Sequence, residues 1–156
     1  MRPFLIRPAS LSDAAAISQL ILSLVKEFIS HEYSQEGERV MLNSMSQSAI
    51  ENNISRGYEY FVAQESSQSA QIIGVLAIKN KNHIYHCFVD KKYHRQHIAK
   101  QLWQYYLGLE NMPHCSVNSS KYAIGFYQSI GFKATDEVYE KQGVTCYPMV
   151  RDSNDS

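Results

Sequence analysis

The segment Val89–Leu102, VDKKYHRQHIAKQL, constrains this chain more than any other. It reads as a strand end, a tight polar loop, and the first turns of a helix with Ala99, Leu102, Trp103 and Tyr106 on one face. A loop entering a helix this way aims unpaired backbone N–H groups at one point, where the helix dipole adds partial positive charge. Arg95 and Lys100 flank that point. A phosphorylated ligand is the natural guest.

The remaining sequence narrows the setting. At 156 residues and 44% hydrophobic content, a single domain over 1–151 with a frayed tail over 152–156 is expected. Fifteen basic residues balance fifteen acidic ones, which removes any general argument for nucleic acid or an anionic membrane as partner. No apolar run reaches the length of a membrane span, and the start lacks a secretory pattern. Cys87, Cys115 and Cys146 are odd in number and far apart, which fits a reducing cytoplasm without disulfides.

Phe4–Arg7 reads as a strand ended by Pro8, and Ser10 with Asp13 as a capped helix start. Ile17, Leu20, Ile21, Leu24 and Phe28 recur at helical spacing, predicting a helix over 12–29; a second is expected over 38–55. Strands are expected over 58–64, 72–79 and 84–89, then the helix after the polar loop to about Gly108. A strand over 114–117, a helix over 121–129 and strands over 132–139 and 144–151 complete the chain. The expected class is α/β, a mixed sheet with helices on its faces, in the order β-α-α-β-β-β-α-β-α-β-β.

In this order the residues resemble a GNAT-type N-acetyltransferase over Phe4 to about Met149. The resemblance rests on Ile6-Arg7-Pro8-Ala9 with Asp13, on Phe88-Val89-Asp90, and on the loop before Ile98-Ala99. Asn118, Ala123, Phe126-Tyr127 and Gly131-Phe132 complete it. The family's phosphate loop maps onto His94, Arg95, Gln96, His97, Ile98, Ala99 and on to Lys100. His94 stands where Gln or Arg is usual, and His97 where a glycine lets the backbone approach a pyrophosphate. Two arrangements follow for His97: a glycine-like φ with the ring turned to solvent, which is favoured, or a ring crowding the phosphate.

The resemblance implies acetyl-CoA as co-substrate and direct transfer of its acetyl group to a primary amine. Phe88 and Val89 would offer backbone to the thioester oxygen, and Asn118 would contact the pantetheine arm unless it only caps the next helix. Tyr127 would be the acid for the departing thiolate, against a plain core role. For the base, the resemblance extends to relatives that acetylate arylalkylamines and carry histidines at the positions of His83 and Tyr85, which puts His83, acting through water and Tyr85, first; His86 comes second, because strict alternation puts it on the face opposite His83, Tyr85, Cys87 and Val89. Substrate contacts are expected from Glu27, His31, Glu32 and Tyr33, and from Glu137, Tyr139 and Glu140 near the last hairpin. The acceptor is expected to be a small molecule, with a homodimer left open. A bound metal is not expected, because alternation separates His83 from His86. The competing class is a non-catalytic acyl-CoA-binding or sensory module.

Overall fold

A computed structural model of the chain describes residues 4–94, 97–135 and 137–152. Its strands are β1 (Phe4–Pro8), β2 (Glu59–Glu65), β3 (Ile72–Lys79), β4 (His83–Val89), β5 (His114–Ser119), β6 (Lys133–Ala134), β7 (Tyr139–Lys141) and β8 (Val144–Asp152). Its helices are α1 (Ala14–Leu24), α2 (Gln35–Ser44), α3 (Gln47–Ser55), α4 (Ile98–Leu109) and α5 (Ile124–Ser129). The strands form one mixed sheet in the order β1-β2-β3-β4-β5-β8-β6, with β7 on β8. This is the mixed α/β architecture expected from the sequence.

Alternation along the strands divides the core into two apolar clusters. Phe61, Leu76 and Ile78 pack with Ile98, Leu102, Trp103 and Tyr106 of α4 and with Tyr127 and Phe132. Tyr60, Val62, Val75 and Ala77 pack with Ile17, Ile21 and Leu24 of α1 and Ile50 of α3. Each such large apolar side chain contributes roughly 1.5–3 kcal/mol on burial. On α4 the first inward residue is Ile98, at 2% exposure, rather than Ala99. At the opening motif, Arg7 donates to both carboxylate oxygens of Asp13 at 2.9 Å, which holds the Asp13 carboxyl below its usual range.

Three local expectations are revised. The second helix is two, because Ser46 accepts a hydrogen bond from the Ala49 N–H at 3.2 Å and so begins a new helix at Gln47. The first helix widens into a π-helical turn over Val25–Ile29. The strand expected over 132–139 is instead the short β6 and β7, both paired to β8.

β7 and β8 are joined by Gln142 (φ 52) and Gly143 (φ 80), the two positive values of a tight hairpin turn. That turn rests on the start of α2. A Cβ added to Gly37 would lie 1.9 Å from the Gly143 carbonyl oxygen, and one added to Gly143 would lie 2.2 Å from the Ser34 hydroxyl. Only glycine at both positions lets the hairpin seat there.

Candidate active site

β4 and β5 run parallel, but pair only through His83 with Ser116 and Ile84 with Val117. Beyond Ile84 they separate, while β5 stays paired with β8 from His114 to Ser119. The gap opens a cavity of about 580 Å³ that touches both apolar clusters. Of the residues expected at a site, Tyr33, Tyr85, His86, Phe88, Val89, His97, Ile98, Ala99, Lys100, Asn118 and Tyr127 line it. Arg95 and Gln96 lie outside the described residues.

The orientation of β4 decides which backbone groups face the gap. Asp90 donates its N–H to the Ile73 carbonyl at 2.8 Å, and amides on a strand alternate between its edges. The Phe88 amide therefore faces β3, and the Val89 N–H and C=O face the cavity edge. His94 Nε2 sits 2.9 Å from the Val89 carbonyl oxygen. Val89 thus presents its N–H, while Phe88 contributes its ring alone.

At the start of α4, His97 adopts φ 60, ψ 26, the left-handed conformation a glycine would take there. Its carbonyl accepts the first helical bond, from the Gln101 N–H at 3.0 Å. The amides of Ile98, Ala99 and Lys100 precede that bond and have no acceptor within the helix. The His97 side chain is exposed. Substituting His97→Gly should relieve about 1 kcal/mol of backbone cost and raise the melting temperature by roughly 2–4 °C. Its affinity for acetyl-CoA should not change; a tenfold loss in calorimetry would instead make the imidazole a ligand contact.

Tyr127, on α5, is buried edge-on to Phe126 and Phe132, with ring centroids 5.3 and 5.6 Å away. Burial, with Cys87 and Cys115 adding to it, pushes its phenol well above 10, so it stays protonated. Asn118 does not cap the following turn; Ser120 does, accepting from the Ala123 N–H at 3.2 Å.

The expected base is not at the cavity. His83 is held at the closed end of the strands, its Nδ1 2.7 Å from the Ser116 hydroxyl, and it does not line the gap. The alternation that ranked His86 second fails because β4 carries a bulge. Ala77 pairs with His86, but Ile78 pairs with Ile84, leaving Tyr85 as the extra residue. As a result Tyr85 and Phe88 pack on the α1 side, and Ile84, Cys87 and Val89 on the α4 side. The separation of His83 from His86 by alternation is lost too, yet no group of three metal-ligating side chains occurs among the described residues.

His86 takes the place His83 was expected to hold. It is 3% exposed, lines the cavity, and has ring neighbours Tyr85, Phe88 and Tyr60 at 4.4, 6.0 and 6.1 Å between centroids. Neither ring nitrogen has a hydrogen-bond partner among the described residues. Burial drops its pKa to about 3, so the ring is neutral.

Several expected substrate contacts lie elsewhere. Glu27 pairs with Lys91 at 2.8 Å, and His31 Nε2 lies 3.1 Å from the Glu27 carbonyl oxygen on the surface. Tyr139, Glu32, Glu137 and Glu140 are exposed and outside the lining, because β7 is the outer strand of its hairpin. Tyr33 does line the cavity, its phenol pushed up to about 12 by burial. Phe28, Met41 and Met45 line it unforeseen. The spacing of Met41 and Met45 on one helix face was their available signal.

The described residues contain no helix long and apolar enough to cross a membrane. No curated protein matches the chain in sequence. Many solved structures match its fold. The N-acetyltransferase PaiA from Thermoplasma acidophilum, solved in complex with coenzyme A, is 17% identical at a TM-score of 0.78, covering 97% of this chain and 99% of that one. A GCN5-related N-acetyltransferase from Rhodopseudomonas palustris is 17% identical at a TM-score of 0.77, covering 97% of each chain. A GNAT-family acetyltransferase from Staphylococcus aureus is 19% identical at 0.71, covering 96% and 98%. The family model for an acetyltransferase (GNAT) domain matches residues 29–153. With that match across most of its length, the chain belongs to the GNAT acetyltransferase family.

Proposed function

We propose that this protein transfers the acetyl group of acetyl-CoA directly to the primary amine of a small molecule. The observation that carries this reading is the parted β4–β5 edge, where the Val89 N–H and the Tyr127 phenol face one cavity beside the open amides of α4. A coenzyme fits these groups. The amides of Ile98, Ala99 and Lys100, with the Lys100 ammonium, suit a diphosphate. The unpaired edge of β4 suits an amide-containing arm lying along it as a further strand. Bound there, the coenzyme supplies an activated acyl carbon and a thiolate leaving group.

The chain's own residues do the rest. Val89 offers its N–H to the carbonyl oxygen as negative charge gathers on it. The new N–C bond forms as the C–S bond breaks, Tyr127 gives its proton to the sulfur, and the surplus amine proton returns by way of water to the Tyr127 phenolate, restoring the phenol. Cys87 is no covalent relay, because burial pushes its thiol up to about 12 and leaves almost no thiolate at neutral pH. Cys87→Ser should therefore keep kcat within about threefold of the parent; a loss near 1,000-fold would favour an acyl-cysteine route.

The test is steady-state release of CoA from acetyl-CoA with simple amines, varying both substrates. Intersecting double-reciprocal lines are expected. Parallel lines would contradict direct transfer, and binding of acetyl-CoA without turnover on any amine would favour the non-catalytic module.

A further inference from the structure

We infer that His94 is a catalytic base of this reaction, its ring at the Val89 end of the parted edge taking the first proton from the acceptor's ammonium. This rests on the acetyl-transfer reading and names a further residue for that site.

At neutral pH a primary alkylamine exists as R–NH3+, which has no lone pair and attacks nothing until one proton has gone. Few groups of the cavity suit that task. Among the described residues no carboxylate lines it, and the lysine that does, Lys100, is itself a cation. Burial raises the phenols of Tyr33 and Tyr127 and the thiol of Cys87, so all three keep their protons. Imidazole is the side chain whose proton exchange falls near neutrality, and the lining holds three: His86, His94 and His97. Both nitrogens of His86 are sealed within the protein, with no surface for a ligand to reach. His94 and His97 are exposed.

Hydrogen bonding separates these two. His97 sits at the left-handed start of α4, beside the amides that suit the diphosphate. His94 is tied to the residue that serves the thioester, its Nε2 lying 2.9 Å from the Val89 carbonyl oxygen. A carbonyl only accepts, so Nε2 carries the hydrogen, and the lone pair of the neutral ring falls to Nδ1. The same bond orients the ring and strengthens when Nδ1 gains a proton, because a charged donor binds a carbonyl more tightly. The ring lies 6.1 Å from that of Phe28, which packs with the α1 cluster and lines the cavity on that face. The α4 amides border the opposite cluster, which leaves the α1 face to the acceptor. Nearby charges are already engaged: Glu27 pairs with Lys91 at 2.8 Å, and Asp90 Oδ1 accepts from the Lys92 N–H at 2.9 Å.

The protons balance. R–NH3+ gives one to Nδ1 and becomes R–NH2, and the exposed imidazolium releases it to solvent. The second leaves as the N–C bond forms and restores the Tyr127 phenol, so each turnover sheds one proton.

The full chain with acetyl-CoA is assayed on propylamine, an ammonium at neutral pH, and on O-ethylhydroxylamine, which has the same shape and is uncharged there. His94→Gln keeps an N–H donor for the Val89 carbonyl and removes the base; His94→Ala removes both. With propylamine each variant should lose at least about tenfold in kcat/KM, and with O-ethylhydroxylamine no more than about threefold. The thermal shift by acetyl-CoA should stay unchanged. Equal losses on the two amines, or none on propylamine, would overturn the inference and leave acetyl transfer standing. So would a loss carried by weaker acetyl-CoA binding, which would make the imidazole a coenzyme contact. Binding of acetyl-CoA by the parent without turnover on either amine would instead remove the reading beneath it, and this inference with it.

Discussion

Tyr127→Phe is expected to lower kcat about 100-fold, within the range for a positioned general acid. The substitution keeps the ring that packs between Phe126 and Phe132, so folding should be unharmed. Loss of one buried hydroxyl with no hydrogen bond among the described residues should move stability by less than about 1 kcal/mol. The loss should also shrink when the leaving thiol is made more acidic, since a better leaving group needs less protonation. Rates of acetyl-CoA and of an acetyl thioester with a more acidic thiol, measured on both proteins, check this. An unchanged kcat, or the same fractional loss with both donors, would make Tyr127 a core residue only.

The second large effect concerns acid stability. His86 has a folded pKa of about 3 against about 6.5 in an unfolded chain. Between those values the unfolded state binds one proton more than the folded state, so stability rises with pH and is lost on acidification. Above pH 6.5 the group is neutral in both states and contributes nothing. From pH 6.5 down to 5 it removes about 2 kcal/mol, at about 1.4 kcal/mol per unit. His86→Phe suits the aromatic surroundings and removes two unpaired nitrogens. The variant should therefore gain about 2 kcal/mol on the parent between pH 7 and pH 5 in urea titrations. Parallel stability curves for the two proteins would show that the His86 ring is not sealed from protons.

What the sequence carried legibly was local. The strand, loop and helix around Val89–Leu102 depend on neighbours within a few residues, so the approach to α4 and the opening motif Arg7–Asp13 could be read directly. Tyr127 came from family spacing, and the structure places it in the cavity lining. The bulge at Tyr85 was not legible, because a bulge is a property of two strands pairing and leaves no mark on one of them. That single extra residue moved Tyr85 to the other face of the strand. The cavity wall beside α2 was hidden for a related reason. Gly37 and Gly143 meet across a hundred residues of chain, and nothing in either neighbourhood announces the other. Met41 and Met45 sat in a stretch read as polar, and only their helical spacing set them apart.

The most direct measurement is a crystal structure of the protein with acetyl-CoA. The diphosphate is expected on the amides of Ile98, Ala99 and Lys100, the thioester oxygen at the Val89 N–H, and the sulfur at the Tyr127 hydroxyl. A coenzyme bound outside the parted β4–β5 edge, or a His97 ring standing where the diphosphate should lie, would contradict it.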